Sequence, residues 1–343
     1  MMQTGLFDWQ QRFEELDDGG DPLVKLNAFV DWETFRPALE TLRRKERKSN
    51  AGRKPFDVII MFKILILQSL YNLSDDQTEF QIRDRLSFMR FLGLTLGGRV
   101  PDAKTIWLFR DQLTKAQLVR RVFDRFDQFL RENGFAAQKG QIVDASLVQA
   151  PRQRNRRDEN QQIKEGQVPE DWSVQKRRQK DVEARWTKKN GRTYYGYKNH
   201  IAIDAKHKLI RDYEVTSAAV HDSQVFEGLL DPQNSSRDVW ADSAYRSREK
   251  LAALSEGGFR EHLQRKGCRH RKLTEREKRG NHTRSKIRSR IEHVFGVQTQ
   301  RAGTLILRTI GRIRAQAKIG LRNLAYNLDR YAMLTITSCS SIA

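Results

Sequence analysis

The hydrophobic period changes once along this 343-residue chain, near residue 135, and nothing else in it narrows the fold as much. Upstream, apolar residues recur at helical spacing. Pro55 suits the first turn of a helix through "VIIMFKILILQSL" (58–70). Ser74 with Gln77 is a capping-box pattern for a helix carrying Phe80, Ile82, Leu86 and Met89, before Gly93, Gly97 and Gly98 break the chain. Pro101-Asp102 opens another helix, and a further one over about 117–133 ends at Gly134. Downstream the runs are short and β-rich: "QIVDASLVQAP" from Gln141, then 193–204 and 209–218, joined by "AKHK" as a hairpin. A helix (222–230), strand (238–242), helix (247–255) and strand (259–263) follow, and the end is helical over 287–295 and 313–334. The order β-β-β-α-β-α-β-α predicts an α/β (α+β) region, a mixed sheet with helices on its faces. The expected domains are a helical one over 1–135, a second over 136–334 with a polar insertion at about 152–190, and a tail over 335–343.

The greasiest segment, 58–70, is interrupted by Lys63 and Gln68 and is shorter than a bilayer span of about 20 apolar residues, so it reads as a buried helix. The N-terminus lacks a basic region followed by an apolar run, so no leader is expected there. Cys268 and Cys339 are the only cysteines, too few for a disulfide framework, which suits a reducing cytosol. Charge is the unusual quantity. Lys and Arg number 64 against 43 Asp and Glu, for a net charge of +21. Such an excess repels itself in the folded state and implies a polyanionic partner. Nucleic acid is favoured over an anionic membrane surface or a ribosome-like assembly.

Three carboxylates stand where burial makes them expensive. Asp144 lies in "IVDASLV" between aliphatic neighbours, where an unpaired carboxylate costs several kcal/mol, on the order of ~2–7 even for a neutral polar group. Asp242 ends the run "DVWAD" in the same way. Glu292 sits at the margin of the stripe Ile287, Ile291, Val294 and Phe295, with Arg288 four residues earlier on the same side. Each alone reads as a capping or salt-bridged residue. Together, two aspartates from adjacent strands and a late glutamate are the donor set of a two-metal phosphoryl-transfer site, hard oxygen ligands suited to Mg²⁺ with Mn²⁺ as substitute.

The motifs "IVDASLVQAP", "RWTKKNGRTYYGYKNHIAID", "TSAAVHDSQVF", "ADSAYRS" and "RSRIEHVFG" resemble those of DDE transposases of bacterial insertion sequences, specifically the insertion sequence five family. The upstream "FDVIIMFKILILQSLYNLSDDQTEFQIRDRLSFMRFLGL" and "VPDAKTIWLFRDQL" are similar to that family's helical N-terminal domain, so the likeness runs over about 45–330. It implies a ribonuclease-H-like core with Asp144, Asp242 and Glu292 as catalytic and metal-binding triad, two divalent ions, terminal inverted repeats and target DNA as double-stranded partners, and at least a homodimer on DNA. It also implies hydrolysis at the element's end followed by strand transfer, with the helical half reading the repeats through a helix-turn-helix within 74–113. A related signature places Tyr, Arg, Glu and Lys at fixed spacing. Arg288 and Glu292 keep it, but Ser285 and Thr299 stand at the outer positions. About fifty residues separate Asp242 from Glu292, too few for the large β-domain that some transposases insert there.

Other signals are weaker. Asp222 reads as an N-cap or as an auxiliary to the site. His262, Cys268, His270 and His282 match no standard zinc spacing. Arg246, just past Asp242, suits a phosphate. The stretch 264–330 holds 19 Lys/Arg and 4 Asp/Glu, placing Lys286, Arg288 and Arg290 beside Glu292. The insertion adds Lys176, Arg177, Arg178 and Lys180 with Trp186 for stacking, and Lys198 completes the expected DNA contacts. The alternatives are a domesticated, non-cleaving DNA-binding protein and a nuclease of the same fold. A cytoplasmic, nucleoid-associated protein without a membrane partner is expected.

Overall fold

The computed structural model describes residues 8–43, 54–189 and 191–340. The N-terminal segment on which no leader was expected and the last three residues of the tail thus lie wholly or partly outside the described residues. The chain divides into two compact units: Met1–Phe126 with Leu324–Ala343, and Asp127–Asn323. The C-terminal helix therefore contributes to both, where the sequence assigned residues to 334 to the second.

The first unit contains α1 (Asp8–Asp18), α2 (Pro22–Phe29), α3 (Arg36–Glu40), α4 (Val58–Tyr71), α5 (Asp75–Asp84), α6 (Leu86–Leu92) and α7 (Ala103–Lys115). Helix α4 is apolar on every side, and such a helix can satisfy itself only by burial. Val58, Phe62, Ile64, Leu65, Ile66 and Leu67 are accordingly inaccessible. Phe62 packs on Phe35 and Trp32 at ring separations of 5.0 and 6.4 Å. The helix is capped by Asp57, whose carboxylate accepts from the Ile59 N–H, rather than opened by Pro55. The capping box of Ser74 and Gln77 forms as expected. The helix it starts stops early: Arg85 is extended, separating α5 from α6. A continuous helix would turn Phe88 roughly 240° away from Ile82 at about 100° per residue, and the break lets both be buried. Among the described residues no single helix is long and apolar enough to cross a membrane.

Helix α8 (Leu118–Glu132) leads into the second unit. Its elements are β1 (Gln141–Gln149), α9 (Arg157–Lys164), α10 (Val174–Gln179), β2 (Arg185–Lys189), β3 (Arg192–Asp204), β4 (Ile210–Ser217), β5 (Asp238–Trp240), α11 (Arg248–Glu256), β6 (Arg260–Glu261), α12 (Glu275–Ala302) and α13 (Arg312–Ser340). Among the described residues the sheet has six strands, ordered β2-β3-β1-β5-β6, with β4 also on β3. Strand β3 is antiparallel to β1, β2 and β4, whereas β1, β5 and β6 run parallel. This mixed sheet flanked by helices is the ribonuclease-H-like architecture.

The helix over 222–230 is two short 3₁₀ turns, Asp222–Gln224 and Glu227–Leu229, the first capped by His221. The polar stretch 152–190 carries α9, α10 and the edge strand β2. It is anchored by Trp172, whose indole N–H donates to Glu159 at 2.8 Å, and by Asp181. The Asp181 carboxylate accepts from Tyr197 Oη, both the Glu183 and Ala184 amides, and the Gly311 amide. One face of the sheet buries Val143, Ala202, Phe226, Val239, Tyr245, Leu254 and Leu263 together.

Candidate active site

The site follows from strand register. Ile142 pairs with Trp240 in the parallel ladder of β1 and β5. Two residues past that pair stand Asp144, still within β1, and Asp242, just beyond the end of β5, close enough for the charge of Asp242 to act on Asp144. Gly140 permits that register: at φ +83°, a Cβ there would meet the Trp240 ring at 2.5 Å and the Asp238 carbonyl at 2.6 Å. Beyond Trp240 strand β5 ends, so the flank of Asp144 has no ladder partner on that side.

Each aspartate is steadied from its own backbone. Asp144 Oδ1 accepts from the Ala145 amide at 2.8 Å, and Asp242 Oδ1 from the Ser243 amide. The other oxygen of Asp144, Oδ2, accepts from Arg288 at 2.7 Å. The second arm of Arg288 reaches Glu292 at 2.8 Å, the i to i+4 pair anticipated on α12. Asp144 and Arg288 are each 19% exposed, whereas Glu292 is 58% exposed. Burial pushes the Asp144 carboxyl above the usual carboxylate range, against the Ala145 amide and Arg288, and the neighbouring charge of Asp242 adds to the upward push.

Arg288 thus brings Asp144 and Glu292 to one guanidinium, with Asp242 beside them. No group of three His, Cys, Asp or Glu among the described residues is close enough to share one metal ion. The donor chemistry nevertheless suits a hard divalent cation. Asp144, within β1, and Asp242, just past the end of β5, offer carboxylate oxygens side by side, and burial disfavours the charge on Asp144. Glu292 is exposed and, among the described residues, is held by Arg288.

Tyr245 follows Asp242 by three residues and was not singled out in the sequence. It is 1% exposed, and its hydroxyl has no hydrogen-bond partner among the described residues. Burial, then the charges of Asp144, Asp222 and Asp242, push its phenol far up. Asp222 does not cap a helix. It lies 2.8 Å from Lys198 Nζ and 3.9 Å from His200 Nδ1. The His-Asp pair preceding a turn was the available signal, and without the third dimension capping was the simpler reading.

The expected DNA contacts divide. Lys198 is turned inward, donating to the Val220 carbonyl at 2.7 Å as well as pairing with Asp222. Arg246 pairs with Glu261 at 3.0 Å, and Arg290 donates to the Ala205 carbonyl at 2.6 Å. Lys176 binds Glu159, whose carboxyl it pulls down to about 2. Arg177 and Lys180 donate to carbonyls of the insertion. Arg178, Lys286 and Trp186 are exposed. His262 pairs with Asp238 at 2.8 Å and stacks on Trp240. At the outer positions of the signature, Ser285 accepts from Gln264 and Thr299 bonds back to the Phe295 carbonyl.

A ribonuclease-H-like sheet with carboxylates side by side on its adjacent parallel strands β1 and β5 defines a class of nucleic-acid-processing proteins. Within it the family is shown by direct match: residues 136–328 fit the family model described as "Transposase DDE domain", and residues 11–112 that of "Transposase domain (DUF772)". The chain belongs to the DDE transposase domain family. Its fold is also similar to that of a solved chain titled "Cryo-EM structure of piggyBac transposase synaptic complex with hairpin DNA (SNHP)", at 12% identity and a TM-score of 0.47, over 93% of this chain and 76% of that one.

Proposed function

We propose that the chain is the transposase of an insertion-sequence element of the insertion sequence five type, cutting double-stranded DNA at the element's terminal inverted repeats and joining the freed 3′ end to target DNA. The observation that carries this reading is the parallel register of β1 and β5, which sets Asp144 beside Asp242 within reach of the Arg288–Glu292 pair.

Asp144, Asp242 and Glu292 would hold divalent cations, Mg²⁺ or Mn²⁺, which when bound supply positive charge to the attacking and leaving oxygens of a phosphodiester. The chain's own residues do the rest. Asp144 and Asp242, fixed by their neighbouring amides, set where a phosphate can sit. Arg288 balances Asp144 before substrate arrives, and its guanidinium suits a phosphate oxygen when a cation takes over that charge. Arg178, Lys286 and the wider basic surface hold the duplex without reading its sequence, so affinity falls steeply with salt. The helical unit, with α5, α6 and α7 spanning the segment expected to hold a helix-turn-helix, would read the repeats. Two ends cut together require at least a homodimer on DNA, and the reading places the protein in a bacterial cytoplasm at the nucleoid.

The test is cleavage of a labelled duplex bearing the repeats that flank the gene, beside a scrambled duplex, with Mg²⁺ or Mn²⁺. Nicking at the repeat boundary by wild type, absent in Asp144→Ala, Asp242→Ala and Glu292→Ala, is the expected result. Equal cutting of both duplexes would instead make it a nuclease, and binding without cutting a domesticated DNA-binding protein.

A further inference from the structure

The outer faces of α5 and α7 carry residues that the carboxylate site does not use. On α5, Asp76, Phe80 and Asp84 recur every four residues and so form one row along the helix. On α7, Lys104 and Leu108 form a second row, with Trp107 beside it. All six side chains are exposed, Phe80 at 66%, Trp107 at 49% and Leu108 at 48%. The two helices are neighbours. The Ala103 amide at the start of α7 donates to Glu79 at 2.7 Å, and Arg110 bonds Asp75 at 2.8 Å.

Single exposed apolar side chains need no explanation, but a group of them rimmed by polar residues marks a contact surface. The charge around this group says what fits it. Helix α5 holds four Asp/Glu against Arg83 alone, and Arg83 is taken up by Glu79 at 2.7 Å. Asp76 and Asp84 thus make an acidic row, which repels phosphate where a DNA-contacting face collects Lys and Arg. Helix α7 has the opposite balance, Lys104, Arg110 and Lys115 against Asp111. An acidic row and a basic row side by side, each with an apolar centre, are self-complementary under a two-fold axis. The α5 row of one copy meets the α7 row of the other, and the same contact is repeated across the axis. At about 150–250 Å² per aromatic side chain, the exposed parts of Phe80 and Trp107 offer roughly 200 Å², doubled by symmetry. That suits the centre of an interface at the low end of stable size, about 1,200 Å² in all, and a reversible association.

We propose that this face joins two copies of the chain in the absence of DNA, with Phe80, Trp107 and Leu108 at its centre and Asp76, Asp84 and Lys104 as its charged rim. The contact is distinct from assembly on DNA. It keeps this face off the phosphate backbone, so the repeats are read from another side of the helical unit.

The test is sedimentation velocity of the full-length protein over a concentration series, in EDTA without DNA, at about 0.15 M salt so that the rim charges are only partly screened. Wild type forms a concentration-dependent dimer, and Trp107→Ala weakens it about tenfold or more, as the loss of a central aromatic predicts. Two charge-reversed proteins, Asp76→Lys/Asp84→Lys and Lys104→Glu, are each monomeric where wild type is dimeric. Mixed in equal amounts they dimerise again, because every rim contact of the mixed pair joins opposite charges. Circular dichroism matching wild type shows that each variant keeps its fold. Should Asp76→Lys unsettle the first turn of α5, Trp107→Ala and Lys104→Glu decide the matter alone. A wild type that stays monomeric at every concentration overturns the proposal, as does a dimer that survives Trp107→Ala and Lys104→Glu. A mixture of folded charge-reversed proteins that remains monomeric overturns it too. Loss of duplex binding on Trp107→Ala in a monomeric protein would give the face to DNA instead.

Discussion

Replacing Arg288 by Met keeps most of the aliphatic stem and removes the charge that ties α12 to β1. The cost can be worked from its two arms. The bond to Asp144 Oδ2, 2.7 Å long between side chains each 19% exposed, is a charged hydrogen bond that water only partly screens, worth about 1.5–3 kcal/mol. The arm to Glu292, 58% exposed, contributes at most about 0.5 kcal/mol. Arg288→Met should therefore destabilise the metal-free protein by about 2 kcal/mol at neutral pH. In an Asp144→Asn background the same substitution should cost about 0.5 kcal/mol, leaving a coupling near 1.5 kcal/mol. The pH dependence has a definite sign. The folded pKa of Asp144 already lies above its ordinary value through burial, so its charged form is disfavoured in the fold, and protonation relieves that as pH falls through the raised value. Without Arg288 the pKa rises further, so the deficit is largest at neutral pH and shrinks on acidification. Urea unfolding of the four proteins in EDTA, followed through the transition of the second unit, measures this. An equal cost in both backgrounds, or a deficit that grows with acid, refutes the assignment of Arg288 as the counter-charge of Asp144.

Mg²⁺ at about 100 times its Kd should stabilise wild type by about 2.7 kcal/mol and leave Asp242→Asn unmoved, read as a shift in melting temperature without DNA. Buried His200, bonded to Thr216 at 2.8 Å with its other nitrogen 3.9 Å from Asp222, is held down to about 4 by burial, against the pull of Asp222. Its neutral form is the folded one, so stability is kept above the unfolded pKa and lost as pH falls from about 6.5 to 4, by about 3 kcal/mol at most; His200→Asn should flatten that slope in denaturation midpoints. Asp181→Ala strands the Tyr197 hydroxyl and three backbone amides, and should cost about 3 kcal/mol by the same assay. At Gly196, φ +148°, a Cβ would stand 2.3 Å from the Val148 carbonyl oxygen, a backbone atom that cannot yield, so Gly196→Ala should cost about 3 kcal/mol and reduce the β signal in circular dichroism.

What the sequence disclosed followed from whether one element's residues sufficed to define it. Helix α4 was legible because it is apolar all round, and Ser74–Gln77 because a capping box is local. Helix α12 begins at Glu275, twelve residues before the apolar stripe that marked it, because its first turns are polar and exposed. Thr274 with Glu277 was nonetheless a readable capping box for that start. Strand β2 was missed for the opposite reason. "RWTKK" has one large apolar residue and lies on an edge, where the outer flank meets water and no alternation is enforced. The turns after His221 read as a helix because Val225, Phe226 and Leu229 fall at helical spacing, yet that spacing arises from packing under the sheet.

The carboxylates show where local reading ends. Asp144 and Asp242 each stood out by apolar neighbours alone, but their adjacency depends on a parallel ladder between strands nearly a hundred residues apart, which no local pattern encodes. Arg288 carries the argument further. Its place four residues before Glu292 was legible, and a basic chain seeking DNA made phosphate its natural target. What the sequence omits is the desolvation of Asp144, which disfavours its charge and makes a counter-charge at that point stabilising. An arginine on the same helix as the glutamate supplies it and restrains Glu292 as well. Were Asp144 to hold a cation, Arg288 would no longer be needed as its counter-charge, and its guanidinium would be available to a phosphate oxygen. One side chain thus compensates the charge of Asp144 and restrains Glu292 in the same arrangement.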